Sequence, residues 1–299
     1  QFFMNGGSRC YVMRVAPSDA KPAANFTEEA PALLQITAKN PGAWGNQIRV
    51  AITPSSKAKT QIYEDLGNNS YRVKNNAGFY PGDIVEFTDG EAVQTARVVT
   101  SQDNIIELSA ALSGDVTDNN LLPAKVLTTA EISLTVAYGD EIETFEKVSL
   151  NSGAANHINK VVNKSNIIQI ADNTNHDESA EAVTPFAVLA EADAKSVQIA
   201  LSNGSDGSID NLSAADYIGE DRGPGKRTGI QSFIDNDEVS IIAIPGVTDP
   251  NVQLSLVAHC ENLGSRFAIL DIPRDKTKVA DVQTHRNIFD TNYAAMYHP

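Results

Sequence analysis

The segment 223–228, Gly-Pro-Gly-Lys-Arg-Thr, comes closest to a phosphate-binding loop in this sequence. A Walker loop has a glycine five residues before its Gly-Lys pair and a serine or threonine after the lysine, so that backbone amides and a hydroxyl hold phosphate and magnesium. Here Glu220 stands at the first of these positions and Arg227 follows Lys226. The segment therefore predicts a basic turn that leads into a helix.

Two candidate nucleophiles, Ser205 and Cys260, lack the neighbours that would activate them. The segment 203–207, Asn-Gly-Ser-Asp-Gly, has asparagine where a nucleophile elbow needs its first glycine. His259 precedes Cys260 on a predicted helix, where adjacent side chains point about 100° apart. The pattern predicts a buried, hydrogen-bonded histidine and a core cysteine.

No sequence pattern predicts a metal or cofactor site. The histidines are isolated, without His-x-x-x-His or Cys-x-x-Cys spacing. Four acidic residues lie close together but lack the spacing of an EF-hand, so they indicate a solvated acidic turn. They are Asp206, Asp210, Glu220 and Asp221. We expect no catalytic residue, no cofactor and no metal.

Two other functions stay open. Asp271 stands at the carboxyl end of a predicted strand, where α/β enzymes place active groups. One alternative is therefore a hydrolase or nucleotide-dependent enzyme with its site near Pro245, Gly246 and Asp271. The other is a non-catalytic adhesin in which residues 54–123 form a ligand-binding β-module.

The composition narrows the classes of partner. The chain has 299 residues and a formal charge of −15, with a pI near 4.7. Nucleic acid is disfavoured, because phosphate binding needs clustered lysine and arginine. No apolar run is long enough to predict a transmembrane helix, so no membrane insertion is expected. Two cysteines, Cys10 and Cys260, cannot build a disulfide framework, which favours folding in a reducing cytoplasm.

The end of the chain has the pattern of a strand–helix–strand–helix–strand unit. Segments 239–245 and 266–272 are short apolar runs, typical of parallel strands buried on both faces. The Asp-Pro pair at 249–250 predicts a helix start, and Gly264 predicts its end. A second helix and a third strand at 293–297 follow. Such alternation predicts a mainly parallel sheet.

The rest of the chain predicts further sheets. Residues 48–52 and 132–136 alternate apolar and polar side chains, and residues 9–15 resemble an interior strand. Short strands joined by turn residues predict an inserted β-barrel or β-sandwich. The predicted fold is multi-domain, α/β plus β, with a mixed, mainly parallel α/β sheet core. Its domains are residues 1–53 with 125–202, an inserted all-β domain at 54–124, and an α/β part at 203–299.

Several short segments together carry a family resemblance that none would support alone. They are 2–7 (Phe-Phe-Met-Asn-Gly-Gly), 9–15, 40–46 (Asn-Pro-Gly-Ala-Trp-Gly-Asn), 237–246, 258–261 (Ala-His-Cys-Glu), 266–271 (Arg-Phe-Ala-Ile-Leu-Asp) and 293–299 (Tyr-Ala-Ala-Met-Tyr-His-Pro). In this order they resemble the tail sheath proteins of contractile-tailed bacteriophages and related phage-like particles. The resemblance covers nearly the whole chain and is weakest in residues 54–123.

The resemblance implies a structural subunit that polymerises helically around a tail tube and contracts to drive the tube through the host envelope. It implies no cofactor, and it implies other sheath subunits, the tail tube protein and the baseplate as partners. The subunit would act in the virion tail after assembly in the bacterial cytoplasm. The residues that match the family's motifs would be structural: Pro41, Gly42, Trp44, Gly45, Asn46, Pro245, Gly246, His259, Cys260, Asp271, Tyr293 and Tyr297.

Both ends of the sequence suggest the body of a longer sheath protein. The chain opens without an initiator methionine and stops at Pro299, directly after a predicted strand. In the family, terminal arms add strands to the sheets of neighbouring subunits, which is a form of β-augmentation. We expect the flanks to carry these arms, the body to be mostly monomeric alone, and contraction to be rigid-body rotation about arm linkers.

Overall fold

The computed structural model describes residues 2–118, 124–173, 182–191 and 194–297. The chain divides into two compact units. The central unit comprises Lys21–Ser205, and the terminal unit comprises Gln1–Ala20 together with Asp206–Pro299. The three-domain division predicted above stays a prediction.

The central unit consists mainly of strands. These are β1 (Leu34–Ala38), β2 (Arg49–Ser55), β3 (Lys59–Thr60), β4 (Ile62–Gly67), β5 (Ser70–Val73), β6 (Ile84–Thr88), β7 (Val93–Gln102), β8 (Ile105–Leu108), β9 (Val126–Thr129), β10 (Glu131–Tyr138), β11 (Glu141–Val148), β12 (Ile168–Asp172) and β13 (Val197–Ala200). Its helices are short: α1 (Ile158–Val162), α2 (Pro185–Leu189) and a 3-10 helix at Ala43–Gln47.

An antiparallel four-stranded sheet, in the order β11-β10-β2-β13, forms the first core of the central unit. Because side chains alternate across a strand, Val50 and Ile52 of β2 lie on the same buried face as their partners Val136 and Leu134 of β10. β1 and β12 pair antiparallel beside this core. A tight turn at Gly139 (φ +56°) joins β10 to β11.

A seven-stranded antiparallel sheet, in the order β3-β9-β6-β7-β8-β5-β4, encloses the second core. The first half of β7 pairs with β6 and the second half with β8, and a register shift between Val98 and Thr100 interrupts the pairing with β8. Its fully buried side chains include Tyr71, Phe87 and Ile106. Among the described residues, the end strands β3 and β4 do not pair with each other, so this sheet does not close into a barrel.

The terminal unit holds a three-stranded parallel sheet, in the order β14-β15-β16. Its strands are β14 (Ile241–Ala243), β15 (Phe267–Asp271) and β16 (Ala294–Tyr297), and its helices are α3 (Ala214–Ile218), α4 (Pro250–Leu263), α5 (Val279–Arg286) and 3-10 helices at Phe3–Asn5, Ile209–Asn211 and Gly229–Asp235. Asp249 caps α4 by accepting from the N–H groups of Asn251 (2.8 Å) and Val252 (3.3 Å). Gly264, at φ +67°, ends the helix as predicted.

The predicted fold class is wrong in its main point, because the sheets are mostly antiparallel and no barrel closes in the described part of the chain. The physical reason is visible in the alternation of β2 and β10. Strands that alternate apolar and polar residues belong to antiparallel sheets with one exposed face, whereas parallel strands buried on both faces are continuously apolar. The prediction wrongly extended the arrangement of the last three strands to the remainder of the chain.

Two predicted strands also differ from the structure. Residues 7–17 have no regular secondary structure, and Val12 is 85% exposed, so the segment 9–15 is not an interior strand. The segment 239–245 is not buried on both faces either. Its strand is β14 alone, and only one face of that strand is covered, because Ile242 is buried whereas Ile241 is 68% exposed.

Candidate functional site

The outer side of β14 is an unpaired strand edge among the described residues. Phe267 of β15 donates its N–H to the carbonyl of Ser240 (2.9 Å), which fixes the side of the chain that faces β15. Since peptide groups along a strand alternate in direction, those of Ile241 and Ala243 face away from β15. They therefore present donors and acceptors to which another strand could pair.

A groove of about 1240 Å³ lies beside this edge. One wall is β14 with its flanking residues, and the other is the extended amino-terminal segment, including Tyr11 and Val12. Arg9 and Tyr11 both contact the carboxylate of Glu238, which tethers that segment inside the terminal unit. Hydrogen bonds from Tyr11 and Arg9 lower the pKa of Glu238. The arrangement leaves an apolar channel next to exposed backbone groups.

β16 forms the other edge of the sheet. Its register places Tyr297 opposite Asp271 of β15, and the Tyr297 side chain is 69% exposed. Tyr293, directly before β16, packs against the core and accepts the Ala268 N–H at 2.8 Å. His298 and Pro299, which end the matching segment, lie outside the described residues.

The polar groups at the carboxyl edge of the sheet are hydrogen-bonded to one another. Asp271 Oδ2 accepts the N–H of Gly246 (2.7 Å), which fixes the turn after β14, where Gly246 has φ +78°. Gln253 Nε2 donates to the carbonyl of Asp271 (2.7 Å), and Gln253 Oε1 lies 3.0 Å from Nε2 of His285. Pro245 is exposed beside the groove. The predicted residues 245, 246 and 271 are thus brought together in a hydrogen-bonded loop.

The side chains of His259 and Cys260 contact different groups, as their adjacent positions on a helix predicted. Cys260 is in the core, and burial raises the pKa of its thiol. His259 Nε2 lies 2.9 Å from Nη1 of buried Arg266, and since arginine has no acceptor, the imidazole must be neutral and accept. Burial, together with the Arg266 charge, lowers the pKa of His259 to about 4.

This histidine predicts a pH dependence of stability. Its pKa is about 4 in the folded state and 6.5 as the reference value, so the unfolded chain binds more protons between these values. The contribution of His259 is present above pH 6.5 and is lost as the pH falls towards 4, in total roughly 3 kcal/mol. Urea unfolding at several pH values measures it. The variant His259→Gln keeps an acceptor without the titration and should flatten the curve over this window; parallel curves would contradict the assignment.

The matching segment 40–46 forms a turn in the central unit. Trp44 donates Nε1–H to the Pro41 carbonyl (3.3 Å) and meets the Tyr138 ring edge-on at 5.0 Å. Trp44 is partly buried and packs against the first core of the central unit. A side chain at buried Gly45 would meet Ala38 Cβ at 2.8 Å, so the turn packs directly on β1.

Asn46 joins this turn to a distant segment. Its side chain donates to the Gly204 carbonyl (2.9 Å) and accepts the Gly204 N–H (2.7 Å). A Cβ at Gly204 would lie 2.5 Å from the carbonyl oxygen of Gly42. Neighbouring Ser205 exchanges two backbone hydrogen bonds with Lys21, both 2.9 Å. Gly204 and Ser205 therefore have structural roles in the central unit, where their hydrogen bonds hold the turn at 40–46 and Lys21 in place.

We expect Gly204→Ala to destabilise the protein by about 1–3 kcal/mol, because the new methyl group meets backbone that cannot move away. Gly153→Ala is the matched control, since its added Cβ meets only Asn151 Oδ1, at 3.4 Å. Its effect should stay below about 1 kcal/mol. Chemical unfolding of both variants measures the difference, and equal stabilities would show that the close approach at 204 can relax.

The remaining candidates are ion-paired loops. Arg227 contacts the carboxylates of Asp221 and Asp235, and Glu220 pairs with Arg222 at 2.6 Å. Asp206 pairs with Arg14 at 3.3 Å. The part of the chain that the structure describes contains no group of three possible metal ligands. No helix within the same residues is long and apolar enough to cross a bilayer.

Sequence reasoning missed several of these partners. Nothing local marks Gly204 as the partner of Asn46, or Gln253 and His285 as neighbours of Asp271. Arg266 lies in one of the segments that carry the family resemblance. An arginine at the start of an apolar strand is a signal that its guanidinium group could be a buried hydrogen-bond donor. Compared with known proteins, the chain matches no protein-family model and no curated protein.

Proposed function

We propose that this chain is a non-catalytic structural subunit of a contractile phage tail sheath. In this proposal it polymerises helically around the tail tube and contracts to drive the tube through the host envelope. Its partners are other copies of the subunit, the tube protein and the baseplate, and its place is the virion. The ordered segments that resemble tail sheath proteins support the proposal from the sequence.

The observation that carries the proposal is the unpaired edge of β14 beside the apolar groove. A strand from a neighbouring copy could pair with the outward peptide groups of Ile241 and Ala243, and its side chains could enter the groove. Such a contact joins two different surfaces. Repeated without closure, it generates a helical polymer.

The hydrogen-bonded state of Asp271 and Gly246 also supports a structural role. A carboxylate engaged by a backbone N–H at 2.7 Å holds a loop in place, and the neighbouring Gln253 and His285 hold each other. These contacts account for the carboxyl edge of the sheet without a substrate.

Electron microscopy of the protein expressed from its whole gene tests the proposal. We expect regular hollow tubes or rings with a bore that fits a tail tube. Persistent monomers under all assembly conditions, in micrographs and in sedimentation, would contradict it.

The enzyme alternative rests on one observation, the cluster of Asp271, Gln253 and His285 at the carboxyl edge of a parallel sheet. A screen for hydrolase and nucleotide-dependent turnover separates it from the sheath proposal. Turnover that disappears in Asp271→Ala while the fold is kept would favour the enzyme.

A further inference from the structure

Three charged side chains meet inside the central unit, outside the site described above. Lys57 precedes β3, Asp83 precedes β6, and Glu131 is the first residue of β10. Hydrogen bonds from Ala130 N–H to the Ile84 carbonyl (2.8 Å) and along the β6–β9 ladder bring these positions together. Lys57 Nζ lies 2.7 Å from Asp83 Oδ2 and 3.3 Å from Glu131 Oε1.

The cluster is almost fully removed from water. The side chains of Asp83 and Glu131 are 1% exposed, and that of Lys57 is 14% exposed. The Tyr80 ring lies 5.3 Å from Nζ. Burying charges is costly even when they are paired, so a reaction that removes a positive and a negative charge together is favoured at such a place.

The hydrogen-bond donors around the cluster act differently on the carboxylates of Asp83 and Glu131. Asp83 Oδ1 accepts from Asn151 Nδ2 (3.0 Å), which can stabilise negative charge that develops on this oxygen. Glu131 Oε2 accepts from Thr129 Oγ1 and from the Lys57 N–H, both 2.8 Å, which leaves Oε1 facing Nζ. Burial raises the pKa of Glu131, so this carboxyl can take up and return a proton.

We propose that Lys57 and Asp83 condense to a side-chain amide, with Glu131 as the proton carrier. Glu131 removes a proton from the Lys57 ammonium, and the free amine attacks Cγ of Asp83. The C–O bond to Oδ2 breaks, and Oδ2 leaves as water with two protons that were on Nζ. Oδ1 remains as the amide oxygen, Glu131 ends as it began, and no oxidant or cofactor takes part.

Proximity makes the step feasible without an external catalyst. Groups held in contact react as if at roughly 10⁵–10⁸ M, far above any solution concentration. The product would tie the segment before β3 to the segment before β6. This inference does not depend on the proposed sheath function, and its test is independent of assembly.

Mass spectrometry of the purified full chain under denaturing conditions tests the proposal. We expect a mass below that of the sequence by one water, and a tryptic map in which the peptide of Lys57 is joined to that of Asp83. A chain that keeps its full sequence mass after prolonged incubation in the folded state would overturn it. This measurement is made on the native sequence, so it does not depend on whether any variant folds.

Two variants identify the source of any lost water. Lys57→Arg keeps the positive charge but has no nucleophilic amine, so the variant chain should have the full mass of its own sequence. Loss of water that persists in Lys57→Arg would come from elsewhere and would count against the bond. Glu131→Gln keeps the shape of the carboxyl group but cannot carry the proton, and we expect at least tenfold slower formation; an unchanged rate would overturn the role of Glu131.

Discussion

Arg266→Met is expected to remove about 3–5 kcal/mol of the stability of the terminal unit. Buried Arg266 donates Nη1–H to the Phe233 carbonyl (2.6 Å) and to His259 (2.9 Å), and Nη2–H to the Asn236 carbonyl (2.5 Å). Leaving a buried acceptor such as His259 without its donor costs about 1–3 kcal/mol, and the two partly buried carbonyls would lose their donors as well. Chemical unfolding of the variant measures the loss.

Arg222→Met is the matched control for this change. Arg222 is also an arginine of the terminal unit, but it makes an exposed ion pair with Glu220, and its side chain is 62% exposed. Exposed pairs contribute little to stability, so we expect a far smaller change than for Arg266→Met. If Arg266→Met were no more destabilising than Arg222→Met, the buried donor would not hold the chain segment around Asn236 to β15.

In the protein expressed from its whole gene, Ile241→Pro is expected to abolish the proposed assembly while the subunit still folds. The N–H of Ile241 faces the open side of β14, so proline removes a donor that β15 does not use. Proline is tolerated on edge strands when its nitrogen faces outward. A neighbouring strand would lose this backbone hydrogen bond and meet the ring instead. Electron microscopy and sedimentation of the variant measure assembly, and circular dichroism checks the fold.

Val279→Pro provides the control for that substitution. Val279 is an exposed aliphatic residue of the same unit, at the first position of α5, where proline fits a helix. We expect this variant to assemble like the native protein. Normal tubes from Ile241→Pro would exclude strand addition at β14, and loss of tubes in both variants would show an unspecific effect of proline.

Local signals in the sequence predicted α4 and the positions of its flanking strands in the terminal unit, but they wrongly predicted a strand at 9–15 of the same unit. The Asp-Pro start of α4 and the glycine at its end depend only on neighbouring residues, and the structure confirms both. The two strands that flank α4 follow from short apolar runs. The exposure of Ile241 does not, because an apolar run does not show which face of the strand is left uncovered.

Long-range pairing explains what could not be predicted. β2 lies between β10 and β13, and β1 pairs with β12, across separations that no local pattern records. The same holds for Asn46 with Gly204 and for the cluster around Lys57. The alternation of apolar and polar residues in β2 and β10 indicates antiparallel strands. The apolar runs at the end of the chain favoured a parallel sheet, and the prediction followed them.

A helical reconstruction of the assembled protein by electron cryomicroscopy would show whether β14 receives a strand from a neighbouring subunit, as proposed. We expect an additional strand beside β14, contributed by another copy and hydrogen-bonded to Ile241 and Ala243. Tubes in which this edge stays exposed to solvent, with subunits joined by other surfaces, would contradict it.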